Sequence, residues 1–153
     1  MKLILPLLLI LASFNVQATD PEDEVLLVVN QLFEGMRRGD STMVREVFTD
    51  NARLITISEK ENQPDLKIGS VDRFVTAVGT PHDGVWDEPI WDEEVRIDGM
   101  FAQVWAKYAL YVDDKFIHCG VDAFHLFNGK NGWKIFQLTD TRQKVDCEFP
   151  PNR

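Results

Sequence analysis

Residues 101–143 have the sequence FAQVWAKYALYVDDKFIHCGVDAFHLFNGKNGWKIFQLTDTRQ, and this stretch decides the fold. Apolar and polar residues alternate along much of it, as they do in strands that bury one face of a sheet. Short polar breaks at Asp113-Asp114 and at 128–132 divide it into strands over 101–112, 116–127 and 133–143. Because such short connections form hairpins, we predict that these strands are antiparallel neighbours.

The first half of the chain has a different pattern, with apolar residues at three- and four-residue spacing in three segments. This spacing is typical of helices that bury one face. The first predicted helix covers 23–38 and is ended by Gly39. The second is capped by Asp40 or Ser41 and ends at Asp50-Asn51, and the third is capped by Ser70 and ends at Gly79. Elsewhere we predict a strand at 54–57, a polar loop around Pro64, an irregular loop over 80–89, and a strand over 90–97 that turns at Asp98-Gly99. Three helices followed by an antiparallel meander define an α+β domain.

The N-terminal segment has the features of a secretory signal peptide. Lys2 is followed by an apolar run from Leu3 to Phe14, and Val16-Gln17-Ala18 places small residues at the cleavage positions. A membrane-spanning helix needs about 20 apolar residues, which is more than this run contains. We therefore expect residues 1–18 to be removed, leaving 19–153 as a single domain with no membrane span, in the periplasm or secreted.

Charge and motifs exclude several classes of function. The chain has a net charge of −9, and loss of Lys2 makes it −10, so nucleic acid and anionic surfaces should repel it. No phosphate-binding loop, HExxH motif or Ser-His-Asp spacing is present, and we expect no cofactor. The acidic run Asp92-Glu93-Glu94 resembles a metal site. Consecutive strand residues point to opposite faces, however, so a solvated edge is expected there and no metal.

The two cysteines of the mature chain are Cys119 and Cys147. Their number is even, and an oxidising compartment permits a disulfide between them. Cys119 lies in a predicted strand and Cys147 lies in the tail beyond the last strand, so a bridge requires the tail to fold back. The residues alone leave both states open.

Two stretches resemble the nuclear transport factor 2-like superfamily. One is Gly39-Asp40 followed by VREVFTDNA at 44–52, and the other is DAFHLF at 122–127 with GWKI at 132–135. The resemblance covers about residues 23–143 and implies a cone-shaped, cystatin-like roll, in which a curved antiparallel sheet wraps around three N-terminal helices. The superfamily includes ketosteroid isomerases, scytalone dehydratases, SnoaL-like cyclases and non-enzymatic binding or association domains. The resemblance therefore implies a fold without choosing a function.

Hairpin register indicates which side chains share a face. A turn centred near residue 130 places Asp122 opposite Leu138, and the Asp113-Asp114 hairpin places Trp105 opposite Asp122. One face then carries Trp105, His118, Asp122, Phe124, Leu138, Asp140 and Arg142. Similarity to ketosteroid isomerase, which has a cavity carboxylic acid where this chain has Asp122, implies that this face lines the pocket. The other face, with Val104, Ala106, Tyr108, Val121, Ala123, Thr139 and Thr141, would be available for a homodimer.

These side chains suggest roles in a pocket. Asp122, desolvated between Trp105 and Phe124, would have a raised pKa and serve as a general acid. His118 would shuttle a proton or donate a hydrogen bond to a carbonyl. Arg142 would pair with Asp140, although all four polar residues could equally satisfy one another without a ligand.

The loop over 80–89 offers a second group of candidates. Trp86 would cover a ligand in the pocket. Alternatively, Trp86 is tucked against the sheet, and its neighbours are solvent-exposed turn residues: His82, Asp83, Asp87 and Glu88.

Steroid-isomerase chemistry is not carried over. The family's base carboxylate would fall at Thr56 and its helix-one tyrosine near Leu32, and neither residue can serve. The leading hypothesis is an exported protein that binds a small apolar molecule with a polar end. The alternatives are a lyase, isomerase or cyclase that uses Asp122 and His118 as acid and base, and a non-catalytic domain that dimerises through its sheet.

Overall fold

The computed structural model describes residues 20–151, and the predicted signal peptide lies outside this range. Within it the helices are α1 (Pro21–Arg38), α2 (Ser41–Glu46) and α3 (Val71–Gly79). The strands are β1 (Phe48–Lys60), β2 (Gln63–Ser70), β3 (Trp86–Asp87), β4 (Ile90–Asp98), β5 (Phe101–Val112), β6 (Lys115–Gly129) and β7 (Gly132–Arg142). None of the helices in this part of the chain is long and apolar enough to cross a membrane.

Helix α1 begins and ends on residues suited to those positions. The Asp20 carboxylate accepts a hydrogen bond from the Glu22 backbone N–H at 3.0 Å, and Pro21 starts the first turn. At the other end, Gly39 adopts a left-handed conformation with φ of 66°. Glycine reaches that conformation without a steric cost, so it ends the helix as the sequence predicts.

Helix α2 is shorter than predicted. The Asp40 carboxylate caps it by accepting from the Met43 N–H at 3.0 Å. The helix stops at Glu46 because Phe48 already pairs with Ile135 of β7. Strand pairing thus overrides the helical pattern, and the prediction that the helix continues to Asp50-Asn51 is wrong.

The strands form one curved sheet in the order β2-β1-β7-β6-β5-β3, and β4 also pairs with β5. The pairs are antiparallel except for β1 and β7, which run parallel, so the sheet is mixed. The predicted α+β class, with helices gathered on a curved sheet, is confirmed.

Strand β2 replaces the polar loop predicted around Pro64. Glu61 and Asn62 have positive φ values of 53° and 59° and make a tight turn between β1 and β2. β2 lies at the edge of the sheet, where the missing N–H of Pro64 is tolerated. Its polar composition reflects exposure at that edge, which is why the sequence suggested a loop.

A β-bulge interrupts the hairpin of β5 and β6. Near the turn, Tyr111 pairs with Phe116, but the next pair is Leu110 with His118. Ile117 is therefore an extra residue on β6. From this point along β5, every partner is displaced by one residue from the prediction.

The displacement inverts the predicted face of β5. Asp122 lies opposite Ala106, whereas Trp105 pairs with Ala123 and is 46% exposed on the outer face of the sheet. Tyr108, which was predicted to point outward, lies on the helix side and is 1% exposed.

The hairpin of β6 and β7 deviates twice, and the two deviations preserve the face. Its turn consists of the two residues between Gly129 and Gly132, and Phe136 is an extra residue between the pairs Leu126–Ile135 and His125–Gln137. Asp122 consequently pairs with Asp140 rather than with Leu138. A shift of two residues leaves the same side chains on the same face.

The core lies between α1 and the inner face of β6 and β7. Val25, Val29 and Leu32 of α1 are fully buried against this part of the sheet, in the same cluster as Leu126 and Ile135. Burial of each such side chain contributes roughly 1.5–3 kcal/mol to folding. The remaining space between helices and sheet is the cavity described below.

The C-terminal tail folds back over β6. Cys119 and Gln143 exchange backbone hydrogen bonds of 2.9 Å, and Cys119 and Cys147 form a disulfide. Lys107 holds the tail from the outer face through an ion pair with Glu148 at 2.7 Å. The backbone pairing of Gln143 with Cys119 therefore brings the tail close to β6, where Cys147 can form the disulfide with Cys119.

Candidate ligand-binding site

The inner face of the sheet and the helices enclose a cavity of about 530 Å³. Its wall is apolar and comprises Leu32, Phe33 and Met36 of α1, Leu54 of β1, Phe74 of α3, Leu110 and Val112 of β5, and Leu138 of β7, together with Trp86. Seven ionisable side chains also line it. Two of them are Tyr108 and Arg73, an exposed residue of α3, and we call the other five the polar floor: Glu88, His118, Asp122, Asp140 and Arg142. Apolar walls with a few convergent polar groups are typical of small-molecule sites.

The structure places six of the eight predicted site residues on this cavity: Trp86, His118, Asp122, Leu138, Asp140 and Arg142. Trp105 is a correction. The bulge at Ile117 turns Trp105 to the outer face, where it lies beside Glu94, Arg96 and Gln103. Phe124 is also a correction, because it faces inward but is fully buried against Phe33, with ring centroids 6.0 Å apart. It belongs to the core rather than to the cavity wall.

Tyr108 and Glu88 are among the cavity-lining residues that the sequence did not assign to the pocket. Tyr108 was missed because the bulge changes its face. Glu88 was interpreted as a solvent-exposed turn residue, but it is partly buried. In an extended segment it shares a face with Trp86, two residues earlier, and this spacing was the available signal.

Trp86 is fixed in place rather than carried on a free loop. It pairs with Val112 as part of β3, and its ring stacks on His82 at a centroid distance of 4.5 Å. The Val85 N–H just before it donates to the Asp113 carboxylate at 2.9 Å. Trp86 therefore contributes a held aromatic surface to the cavity.

Asp140 already has partners inside the protein. The Thr56 hydroxyl donates to Asp140 Oδ1 at 2.7 Å, and the Arg142 guanidinium pairs with Oδ2. Thr56, which the resemblance to ketosteroid isomerases places at the position of that family's base, thus serves as a hydrogen-bond donor in this protein. The negative charge of Asp140 is balanced within the site.

His118 is held in a defined state by Tyr108. The Tyr108 hydroxyl donates to the carbonyl oxygen of Thr141 at 2.8 Å, so its oxygen accepts from His118 Nδ1 at 3.0 Å. This leaves the lone pair of the imidazole on Nε2. Burial, together with the nearby charge of Arg142, lowers the pKa of His118 to about 4, and the ring is neutral at neutral pH. Burial likewise raises the pKa of Tyr108, which stays a neutral phenol.

Gly120 allows β6 and β7 to approach closely beside this group. A Cβ atom built on Gly120 would lie 1.9 Å from the carbonyl oxygen of Thr141. Any other residue would push this carbonyl away from the Tyr108 hydroxyl that it accepts from.

Asp122 and Glu88 form a carboxyl pair. Asp122 is 1% exposed, and its Oδ2 accepts no hydrogen bond from a donor among residues 20–151. The carboxyl of Glu88 lines the same cavity, and each of the two carboxyls affects the pKa of the other. Burial, with added repulsion from Glu88 and Asp140, raises the pKa of Asp122 well above its usual range. Burial and the Asp140 charge raise the pKa of Glu88 to about 8.

Most of the charge on the polar floor is therefore neutralised at neutral pH. Glu88 and His118 are neutral, the raised pKa of Asp122 favours its protonated form, and Asp140 is balanced by Arg142. The described part of the chain contains no group of three or more His, Cys, Asp or Glu side chains that could hold a metal ion. The arrangement can exchange protons and hydrogen bonds with a molecule in the cavity.

A curved α+β sheet over such a cavity is the fold of solved structures described as nuclear transport factor 2-like proteins. Within this class, the chain belongs to the family described as "Putative lumazine-binding", whose model matches residues 20–139. No curated protein matches the chain.

Solved structures share the fold at low sequence identity. A nuclear transport factor 2-like protein from Shewanella baltica is 16% identical, with 84% of this chain and 100% of that one covered and a TM-score of 0.62. One with a cystatin-like fold from Novosphingobium aromaticivorans is 9% identical, with 82% and 83% covered and a TM-score of 0.66. A "putative dehydratase" from Streptomyces avermitilis is 14% identical, with 80% and 96% covered and a TM-score of 0.60.

Proposed function

We propose that the protein binds a small, largely apolar molecule in the cavity and holds it by a polar end. The observation that carries this proposal is Asp122, a buried carboxyl on the wall of an apolar cavity, whose Oδ2 receives no hydrogen bond from a donor in the described range. Buried polar atoms nearly always have a hydrogen-bond partner, so we expect a polar group of a ligand to supply the partner that Asp122 Oδ2 lacks. Membership in a family described as lumazine-binding supports small-molecule binding.

Co-purification tests this proposal without knowledge of the ligand. Native mass spectrometry of the protein purified without denaturant should show bound mass that is lost on denaturation. Leu138→Trp fills the cavity and should abolish it, whereas Leu27→Trp adds the same bulk at a side chain that is 69% exposed on α1. Lumazine, added to the stripped protein, is the first probe for a rise in melting temperature. Absence of any bound mass, together with no response to lumazine or to apolar probes, would contradict the proposal.

Export is part of the same proposal and rests on the N-terminal sequence. Lys2, the apolar run and Ala18 predict cleavage before Thr19. Edman sequencing of the protein recovered from the periplasmic or culture fraction should begin at Thr19. Recovery of the whole chain from the cytoplasm would contradict export.

A second candidate function is acid–base catalysis by a lyase, isomerase or cyclase. The raised pKa of Asp122 favours the protonated form that an acid requires, and His118 is a neutral imidazole with a free Nε2 lone pair, as a base requires. The dehydratase description of one structural neighbour is consistent with this chemistry. Asp122→Asn should then lower kcat by orders of magnitude, whereas for pure binding it should change the affinity by only a few-fold.

The third hypothesis, an association domain, predicts a filled interior, and a cavity of about 530 Å³ does not favour it. A homodimer remains compatible with binding. Phe101, Trp105 and Phe127 expose aromatic surface on the outer face of the sheet and are 42%, 46% and 47% exposed. Sedimentation of the wild type and of Phe127→Glu tests it, because a dimer through this face should become monomeric in the variant.

A further inference from the structure

The carboxyl pair at the polar floor joins two distant parts of the chain. Asp122 comes from the middle of β6 and Glu88 from the connection between β3 and β4, and both line the cavity. Two carboxyl groups that share one buried site repel each other when both are ionised, so their burial in the same cavity favours a state in which at least one is protonated. No lysine or arginine in the described range forms an ion pair with either group. The pair is therefore a protonated unit rather than half of a salt bridge.

The other polar groups of the floor are already engaged. Asp140 accepts from Thr56 and Arg142, and His118 donates its Nδ1 proton to Tyr108. His118 keeps a free lone pair on Nε2, and the carboxyl pair has unused hydrogen-bonding capacity toward the cavity because Asp122 Oδ2 is buried and has no donor partner among residues 20–151. A protonated carboxyl beside a second carboxyl presents an O–H donor and a carbonyl acceptor side by side.

We propose that the Glu88–Asp122 pair recognises a neutral ligand edge on which a carbonyl and an N–H or O–H donor are adjacent, as in a lactam or a primary or secondary amide. This inference rests on the proposed binding function and names its ligand class. The carbonyl of the edge accepts the carboxyl proton, and the N–H of the edge donates to a carboxyl oxygen. An edge of this kind supplies both missing partners at once, which a lone carbonyl or a lone amine does not.

The surroundings disfavour a charged ligand end. At the carboxyl pair an anion would meet two carboxyl groups with Asp140 nearby, and a cation would lose its hydration among apolar side chains. The other cation of the lining, Arg73 on α3, is exposed to solvent. His118 and Tyr108 face the pair as neutral groups. On the outer side of Glu88 a surface cleft carries the charged groups Glu34, Arg37, Asp87 and Glu93.

The protonation of the pair also predicts a pH dependence. The pKa of Glu88 is raised to about 8 by burial, so the pair loses a proton as the pH rises through that value. An amide edge then meets two acceptors and only one donor proton, and its affinity should fall. A purely apolar ligand should not respond in this way.

Three probes of similar size test the inference by isothermal titration calorimetry on the mature protein. They are quinolin-2(1H)-one, a lactam; naphthalene, which is apolar; and 2-naphthoate, an anion. The lactam should bind about tenfold more tightly than naphthalene near pH 6.5, the gain expected from two additional hydrogen bonds. 2-Naphthoate should bind more weakly than either.

Variants connect this preference to the pair. Asp122→Leu should lose the lactam preference while naphthalene still binds. Glu88→Gln should reduce the loss of lactam affinity between about pH 7 and 9, because an amide does not ionise and adds no charge that repels Asp122. Glu93→Gln, at a side chain of the outer cleft, is the matched control and should keep the wild-type profile.

The outcomes separate the two proposals. If neither naphthalene nor the lactam binds, the proposed binding function fails. If both bind equally, if the anion binds best, or if Glu88→Gln keeps the full alkaline loss, the ligand class is wrong and the binding function stands. Should Asp122→Leu not fold, the pH profiles of wild type, Glu88→Gln and Glu93→Gln decide the question by themselves.

Discussion

The rings of Tyr108 and His118 meet edge to face, with centroids 5.6 Å apart, while the phenol oxygen lies 3.0 Å from Nδ1. Tyr108 is on β5 and His118 on β6, so the contact spans the hairpin that carries the bulge at Ile117. The bulge brings the two side chains onto one face, and their contact then fixes which imidazole nitrogen carries the proton. A tautomer of a cavity histidine is thus set by backbone register.

Replacement of Tyr108 by phenylalanine should release that tautomer. Tyr108→Phe leaves His118 Nδ1 and the Thr141 carbonyl without their partner, and we expect the free energy of unfolding to fall by about 1–3 kcal/mol. Urea denaturation measures the loss, and ¹⁵N NMR of the imidazole measures the tautomer. An unchanged tautomer population in the variant would show that Tyr108 does not set it.

His118 should make the protein less stable in mild acid. Its folded pKa of about 4 lies below the ordinary value of about 6.5, so between these pH values only the unfolded chain takes up the proton. The unfolding free energy of the wild type minus that of His118→Asn should therefore decrease as the pH falls from about 6.5 to about 4. Above about pH 6.5 this difference should not change with pH. An NMR titration of His118 with a midpoint near its ordinary value would contradict the prediction.

Glu88 should have the opposite effect on the alkaline side. Its folded pKa of about 8 lies above the ordinary carboxyl value, so the folded state holds a proton that the unfolded state has released. Stability contributed by this group is present at low pH and is lost as the pH rises from about 4.5 to about 8, by at most about 1.4 kcal/mol per pH unit. Glu88→Gln should reduce this dependence and leave the part that Asp122 contributes through its own raised pKa, whereas Glu93→Gln should not change it. Equal slopes in the two variants would remove Glu88 as its source.

Thr56 should stabilise the pairing of β1 with β7. Its hydroxyl donates to Asp140 from the neighbouring parallel strand at 2.7 Å. Thr56→Val keeps the shape and removes the donor, at an expected cost of about 1–2 kcal/mol in thermal or urea unfolding. Thr56→Ser retains the hydroxyl and should recover most of the loss; if it does not, the methyl group rather than the hydrogen bond is responsible.

The disulfide should stabilise the domain by constraining the unfolded chain. Cys119 and Cys147 are 28 residues apart, and closing a loop of that length contributes about 3–4 kcal/mol in the chain-entropy account. The double variant Cys119→Ser/Cys147→Ser should show this loss, and reduction of the wild type should match it. A stability that does not change on reduction would contradict this prediction.

The sequence was sufficient for the fold class because hairpins and capped helices are local features. Asp40, Ser70 and Gly39 act at helix ends as predicted. The pairing of β1 with β7 joins residues more than eighty positions apart, as at Thr56 and Asp140, and no local pattern announces it. β2 was missed for a related reason, since an exposed edge strand needs no apolar face.

The candidate site was predictable only where register errors cancelled. On β7 the turn and the bulge at Phe136 add to a shift of two, so Leu138, Asp140 and Arg142 remained on the cavity face. On β5 the predicted faces are reversed by the single extra residue Ile117 of β6. Trp105 therefore lies on the outer face, and its neighbours in the strand lie on the inner face. Glu88 was missed because its burial depends on the cavity, which a linear pattern does not describe.

The extra residue at Ile117 also determines how residue roles can be transferred between relatives. A homologue that lacks this residue of β6 would need a one-position gap there to align correctly with this chain. An alignment without the gap would assign the cavity-facing positions of β5 to Trp105 and Lys107. The same arithmetic applies to evolution by small deletions. Loss of one codon here would turn Trp105 and Lys107 inward, with Trp105 opposite Asp122 and Lys107 opposite Gly120, and would bring a cation to the polar floor. A change that leaves every catalytic or binding candidate in place would thus create a different site.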